Sequence, residues 1–505
     1  MKRPEAGEEQ AYRKITETLR RFFRGERGVT AADLTAATAL PLATVRELLP
    51  RAADEYSGRL QVTESGEILY SFPRGLKSRY RGFRAVFARA CEKAAVCLAV
   101  FFSWLFKIWI MAMLIGYFAL FMLIALASFV LSTVVVRSSG SGGRSGRNGG
   151  GFFAGSVFNL IIRLWFYSEL ARPYGSRRSG WDANGRASRP GRTEAPRPLH
   201  RRIFAFVFGE EDPNRGWASR EKKAILAYLQ SHSGIIALPE FMALTGLSPD
   251  RAEEEILAFC GEFGGMPEAS PGGTVIYRFS EILKGAEEAA VRPGTRGEEI
   301  MAPVKRLRIF SANTKNMNGW FAAVNGVNLL FGSYFLYNAA AGPVSAGAGI
   351  ERNSYVYALV TAFLEYMGPD PRLAIAVGLG VIPIVFSVLF WLIPAIRFYA
   401  LKKENGAIRL ENFRKGAFSL IWEKPAGIRE QDITGKAAEC SPENLAAARD
   451  RVIKDMGAYS MPGVTAGNGM VYDFTGLKAE KEILEECRAG VKDEGPGKTV
   501  FDSDA

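Results

Sequence analysis

The sequence predicts a multidomain α+β membrane protein in which repeated winged-helix-like domains are joined to α-helical transmembrane segments. Three observations predict it: long apolar blocks, a short aromatic strand motif that recurs three times, and a basic excess confined to one linker. The 505 residues are 48% hydrophobic and 23% charged, which alone would suit a large soluble protein. The apolar residues are segregated, however, into Ala94 to Val136, Gly319 to Ala341 and Leu373 to Ala400. Each block exceeds the roughly 20 residues that a helix needs to cross a bilayer core.

The first domain is read over residues 10–73. The opening stretch, Met1 to Gly28, is charged throughout and has no apolar core before a small-residue cleavage site, so no cleavable signal peptide is expected. An amphipathic helix spans Ala11 to Arg24, and a short helix follows Gly28-Val29 and reaches Leu34. Leu40-Pro41 opens a third helix, where proline at the first position costs no hydrogen bond, and Pro50 within it predicts a kink. Strands Leu60 to Thr63 and Glu67 to Phe72 close the domain around a turn containing Gly66. Helix, short helix, helix, hairpin is winged-helix order.

The same order recurs over residues 203–283 and, in degenerate form, over 409–475. Helices Ser219 to Ser231 and Leu410 to Trp422 precede short helices at Gly234 to Phe241 and Gly427 to Ile433, and Ser248-Pro249 and Ser441-Pro442 open the third helices. The copies end in Ile68 to Phe72, Val275 to Phe279 and Met470 to Phe474, each with a Tyr-x-Phe. The distance from proline to that tyrosine is 29, 28 and 30 positions. Tyrosine and phenylalanine two apart share one face of a strand, so both should pack on the helices. In the third copy Tyr472 and Phe474 should meet a helix carrying Leu445, Val452 and Ile453. Residues 476–505 read as a tail.

Between the domains, the 43 residues from Ala94 to Val136 have basic flanks on both sides. An even number of crossings follows, and the block reads as a transmembrane helical hairpin turning near Gly116. The rival is one span from about Ile108 to Val136; Lys107 would then snorkel to an interface. The linker of residues 137–202 holds 13 arginines against Glu169, Asp182 and Glu194, most of the formal net charge of +12. Such a segment attracts anionic lipid headgroups and keeps its side of the membrane cytoplasmic. Within it, Phe152 to Leu170 reads as an interfacial amphipathic helix. The blocks at 319–341 and 373–400 read as single spans flanking an outside loop, Gly342 to Arg372. The result is a multi-pass protein of the inner (cytoplasmic) membrane with its soluble domains in the cytoplasm. Asn325 and Asn328 share a helix face and should bond between helices, and Pro383 and Pro394 should bend the last span.

No catalytic, cofactor-binding or metal-ligating residues can be assigned, no cofactor is expected, and the chain does not read as an enzyme. The five cysteines, Cys91, Cys97, Cys260, Cys440 and Cys487, form neither a disulfide framework nor a CxxC pair. His200 and His232 lack the partners of a metal site or a nucleophilic triad, and no glycine-rich phosphate loop lies between a strand and a helix. Phe206 to Asn214 reads as a polar turn, with Glu210, Glu211 and Asp212 reversing the chain before a helix. The helix from Pro249 to Phe263 carries Asp250, Glu253, Glu254, Glu255 and Glu262 against Arg251 alone, and the hairpin turns lack Lys and Arg. A phosphate backbone would be repelled by that surface, so nucleic acid is not the expected partner. The expected function is a membrane-anchored scaffold or regulatory protein that binds protein partners, or itself, through its winged-helix units. The alternatives are a membrane-tethered DNA-binding transcription regulator and a small transporter or membrane enzyme subunit.

The Phe-Val-Phe-Gly-Glu-Glu-Asp-Pro-Asn run at residues 206–214, the three Tyr-x-Phe strands and the apolar blocks between and after them carry a resemblance. Over about Ala11 to Lys403 the chain resembles an uncharacterised winged-helix-containing integral membrane protein family of bacteria and chloroplasts. The resemblance implies a membrane location and supplies no catalytic residues. Plant members are labelled with iron–sulfur cluster biosynthesis, a label to which the scattered cysteines here lend no support.

Overall fold

The computed structural model describes residues 6–22, 25–64, 66–73, 75–76, 83–138, 197–283, 303–341, 355–368, 370–435, 444–457, 461–465, 470–491 and 499–502. In chain order the elements begin with α1 (Ala6–Phe22), β1 (Gly25–Val29), α2 (Ala31–Thr38), α3 (Leu42–Tyr56), β2 (Arg59–Thr63) and β3 (Ile68–Phe72). Helices α4 (Phe83–Ser138) and α5 (Leu199–Phe208) follow. Next are α6 (Trp217–Ser231), β4 (Ile235–Ala237), α7 (Leu238–Thr245), α8 (Pro249–Phe263), β5 (Met266–Ala269), β6 (Val275–Arg278) and α9 (Ser280–Leu283). The chain continues through α10 (Lys315–Ala341), α11 (Tyr355–Met367), α12 (Pro371–Ala374), a π-helical stretch (Ile375–Val381) and α13 (Ile382–Glu423). The last elements are β7 (Ile428–Arg429), α14 (Glu430–Gly435), α15 (Leu445–Asp455), β8 (Met461–Thr465), β9 (Met470–Asp473), α16 (Thr475–Ala489) and β10 (Thr499–Asp502). Two compact units result: Met1–Ala90 with Glu211–Arg308 and Lys402–Ala505, and Cys91–Glu210 with Ile309–Leu401.

The first unit repeats one order, helix, strand, helix, helix, strand, strand, three times. Its sheets are antiparallel and arranged alike, β1-β3-β2, β4-β6-β5 and β7-β9-β8, with β10 added beyond β2 in the first. Registers correspond: Val29 lies opposite Tyr70, Ile236 opposite Tyr277 and Ile428 opposite Tyr472. So do the starts of the short helices. Asp33 accepts the backbone N–H of Thr30 at 2.9 Å, Glu240 that of Ala237 at 3.3 Å and Asp432 that of Arg429 at 3.0 Å. A carboxylate three residues into a helix satisfies the N–H at its N-cap, which is why an acidic residue recurs there.

The first module closes around Ile15, Leu19, Val45, Leu49, Tyr70 and Phe72. The second and third share one core, in which Leu226, Ile256, Phe263 and Phe279 meet Phe413, Phe418, Val452 and Phe474. The strand aromatics are buried as their alternation predicts, except that Tyr472 is half-buried and donates its hydroxyl to Glu430 at 3.5 Å. Leu445 and Ile453 are partly buried at the edge of the same core.

The second unit has two cores. Ile110 and Leu114 of α4, Ile203 and Phe206 of α5, Phe321 and Val324 of α10, and Phe390 of α13 form one; Phe121, Phe335, Val360 and Ile375 form the other. From the first core to the second, α4 and α10 run in the same direction, and the π-helical stretch and α13 run back. Gly380 permits this approach, since a Cβ there would lie 3.0 Å from the Cβ of Leu336. Among the described residues, Cys97–Ser128 and Pro371–Glu423 are the helices long and apolar enough to cross a membrane.

Several expectations are corrected. The hairpin at 94–136 does not form, because α4 is one helix of 56 residues. Gly116 stands alone among Met, Leu, Ile and Ala, with no Pro, Asn or Asp to reverse the chain. The block at 319–341 forms most of α10, but Asn325, Asn328 and Asn338 leave it less apolar than the other two. The block at 373–400 and the first helix of the third module are not separate elements. Helix α13 runs from Ile382 of that block to Glu423 and stays helical across Asn405-Gly406. Part of the outside loop is the apolar helix α11, packed through Val360. Helix α3 continues through Pro50. Residues 476–505 are no mere tail, since α16 buries Leu477 and Leu484 and β10 joins a sheet. The linker of residues 137–202, apart from its ends, and its interfacial helix at 152–170 lie outside the described residues.

Candidate functional site

In the first unit the segment 303–308 has no regular structure of its own, yet side chains grip the backbone of Lys305, Arg306 and Arg308. Helix α13 carries Glu404-Asn405 and Glu411-Asn412, seven residues and therefore about two turns apart on one face. The Asn412 amide donates to the carbonyl of Lys305 at 2.8 Å and accepts its N–H at 3.0 Å. Asn405 does the same for Arg308, at 2.8 and 2.9 Å. From the opposite direction in sequence, Asn214 grips Arg306 at 2.8 and 3.0 Å. A carboxamide offers one donor and one acceptor at peptide spacing, so each asparagine substitutes for a strand neighbour.

The paired glutamates take the side chains of the same residues. Glu411 accepts from the Lys305 ammonium at 2.5 Å and Glu404 from Arg308 at 2.6 Å, while Asp212 lies 3.8 Å from Arg308. Lys415, only 2% exposed, sits one turn beyond between Glu221 at 2.9 Å and Glu411 at 3.3 Å, with its ammonium 4.9 Å from the Trp217 ring centre. The acidic run at 210–214 does form the expected turn, with Asp212 accepting the N–H of Asn214 at 2.9 Å. It also fixes a strap, which sequence reasoning missed. The visible signal was the repeated Glu-Asn pair.

In the second unit Arg397 gathers three carbonyls, those of Phe206 at 2.9 Å, Val207 at 2.6 Å and Phe310, with its guanidinium 4.2 Å from the Phe310 ring centre. A cation suits the unsatisfied carbonyls that end α5. Glu210 accepts from Arg197 at 2.9 Å and from the N–H of Ala312 at 3.2 Å. Asn325 and Asn328 bond between helices as their shared face predicts, to the carbonyls of Ser387 at 3.0 Å and Leu114 at 2.9 Å.

The third helices and hairpins of the first unit bear on recognition. Helix α3 is held at its N-terminal end, where Leu42 lies beside Gly264 and Arg46 pairs with Glu281. Strand β10 covers the outer edge of β2, with Thr499 opposite Thr63, Phe501 opposite Val62 and Asp502 opposite Gln61. Helix α8 buries Ile256, Phe259 and Phe263 and exposes Asp250, Glu253, Glu254, Glu255 and Leu257.

One buried polar cluster joins α16 to the second module. Glu240 is 2% exposed and accepts from the Tyr228 hydroxyl at 2.6 Å and from Arg488 at 2.7 Å, and Arg488 also bonds the carbonyl of Ile235 at 2.8 Å. Burial, then the Glu240 charge, pushes the Tyr228 hydroxyl up; burial, then Arg488, holds the His232 imidazole below its usual range. The His232 ring stacks on Tyr228 with centres 3.9 Å apart. Among the described residues no three His, Cys, Asp or Glu side chains converge as metal ligands. The Cys260 thiol is buried and pushed up to about 11 by desolvation, while Cys97 is exposed and Cys487 half-buried.

These features define a mixed, helix-dominant α+β protein with two helices able to span a bilayer. No protein-family model and no solved structure matches the chain. It is 22% identical over 413 residues to an uncharacterised chloroplastic protein of Arabidopsis thaliana, a match covering 79% of this chain and 71% of that relative. That similarity agrees with the chloroplast side of the motif-level resemblance.

Proposed function

We propose that this chain is a membrane-anchored scaffold whose three modules are winged helices used for protein–protein contact. The observation that carries the reading is the state of the first module, in which the surfaces a winged helix would present to duplex DNA are held by protein. The N-terminal end of α3, where base contacts would be made, is engaged through Leu42 on Gly264 and Arg46 on Glu281, and the hairpin edge is covered by β10. The exposed face of the second module's third helix, α8, presents Asp250, Glu253, Glu254 and Glu255, which a phosphate backbone would repel. A basic protein surface fits there instead.

Membrane anchoring rests on exposed apolar surface. Leu98, Phe101, Phe102, Trp104, Leu105 and Trp109 of α4, and Val385, Leu389, Leu392 and Ile396 of α13, stand exposed on helices long enough to cross. A core helix of a soluble domain would bury such side chains, so lipid supplies the missing cover. That the first two modules belong to one compact unit supports their lying on one face of the membrane.

The test uses the full chain in native membranes and in nanodiscs. The protein should resist carbonate extraction, show no saturable binding to duplex DNA at low salt, and yield carboxylate cross-links from Glu253 or Glu254 to lysines of another protein. Salt-sensitive DNA binding with a steep slope would overturn the reading in favour of a tethered transcription regulator.

A further inference from the structure

We propose that the outer edge of β2 is a docking site for an extended, acidic strand of a partner protein, and that the chain's own segment 499–502 holds that site in cis. The proposal rests on the modular reading above, but on different residues.

The three sheets are alike, so their outer strands can be compared directly. Strand β5 reads Met-Pro-Glu-Ala and β8 reads Met-Pro-Gly-Val-Thr. Pro267 and Pro462 stand at the same place in both and remove a backbone donor, a common way to keep an edge strand from pairing. Strand β2 reads Arg-Leu-Gln-Val-Thr and has no such block. It is the outer strand that carries an added neighbour.

That neighbour is held by a specific contact. Arg59 forks onto the Asp502 carboxylate, with Nε donating to Oδ1 at 2.6 Å and a terminal nitrogen donating to Oδ2, while the Gln61 amide donates to Oδ2 at 2.9 Å. Both holders are on β2 itself. The fork reads a planar carboxylate at one register position, and the ladder reads an extended backbone. The apolar side chains contribute little, since Val500 and Phe501 keep 69% and 60% of their surface exposed. An occupant whose apolar side chains stay largely exposed is replaceable. A partner strand with an acidic residue in the Asp502 position and an apolar residue that finds cover would displace it.

The probe is a fluorescent peptide reproducing residues 499–505, titrated in nanodiscs against four full-chain forms: intact, lacking residues 492–505, lacking them with Arg59→Ala, and carrying Asp502→Asn. The chain lacking 492–505 should bind saturably and the intact chain at least about tenfold more weakly. Arg59→Ala should weaken binding by about tenfold or more, as loss of a charge-assisted pair does. Asp502→Asn, with the fold otherwise undisturbed, should open the site part-way. Equal binding to intact and shortened chains, or no binding to a shortened chain that melts like the parent, overturns the proposal. A dimer of the intact chain that Arg59→Ala dissociates would make the occupant a second copy and overturn the cis-held strand.

Discussion

Replacing Arg488 with Met should destabilise the first unit by about 3–5 kcal/mol, the usual cost of stranding a buried charge. Arg488 reaches from α16 to the Glu240 carboxylate at 2.7 Å and to the carbonyl of Ile235 at 2.8 Å. Glu240 is 2% exposed, so water cannot replace the guanidinium, and among the described residues the Tyr228 hydroxyl and the Ala237 N–H remain as its donors. Methionine keeps most of the stem volume, which confines the loss to charge and hydrogen bonds. For a unit of this size each kcal/mol moves the melting point by a few degrees, so a drop of about 10 °C is expected in nanodisc-embedded protein followed by tryptophan fluorescence. Trp422, packed beside Leu484, reports on the same region. Adding Glu240→Gln should recover a large part of the loss, because a neutral amide still accepts from Tyr228 and leaves no unpaired charge. A single variant within 1 kcal/mol of the parent would refute the reasoning. The Arg488–Glu240 contact would then contribute nothing to holding α16 on the second module.

Three other outcomes follow from the geometry. The His232 imidazole is held below its ordinary 6.5, first by burial and then by Arg488, so the unfolded chain takes up the proton first. Stability from this group is complete above that value and is lost as pH falls below it, and His232→Gln should flatten melting curves compared between pH 7.5 and about 5.5. Asn405→Ala with Asn412→Ala should release the backbone of Lys305 and Arg308 at about 1–3 kcal/mol per site, read as faster amide exchange at those two residues; unchanged exchange would mean the strap is held by charge alone. Glu64→Cys and Pro271→Cys should label from the same side of sealed vesicles, since both hairpins belong to one unit. Labelling from opposite sides would break the assignment of the first two modules to one face.

Much of the first unit was legible because its signals are local. The Tyr-x-Phe strands, Pro41 and Pro249 at the starts of third helices and the glycine before each short helix all act within a few residues and recur at nearly constant spacing, whereas Ser441-Pro442 lies outside the described residues. An acidic residue at the third position of each short helix, Asp33, Glu240 and Asp432, was equally local and went unused. Two of the three apolar blocks, those in α4 and in the run from Pro371 to Glu423, were legible for the same reason, since apolar length needs no partner to be recognised. Where a local rule was stretched it failed. An even crossing number for residues 94–136 was inferred from flanking charge, but a lone Gly116 among helix formers cannot reverse a chain.

The sequence by itself determined that the chain carries apolar helices, three like-ordered modules with aromatic strands turned inward, and an acidic rather than basic third helix in the second of them. Tertiary structure alone decided which surfaces those modules have left to offer. That Asn214, Asn405 and Asn412 grip one strap, that Arg488 closes on Glu240, and that β10 occupies the β2 edge depend on residues up to 443 positions apart. A polar side chain in sequence does not reveal its partner, because a hydrogen bond is specified by distance and direction in space, whereas burial of an apolar face is specified by periodicity along the chain.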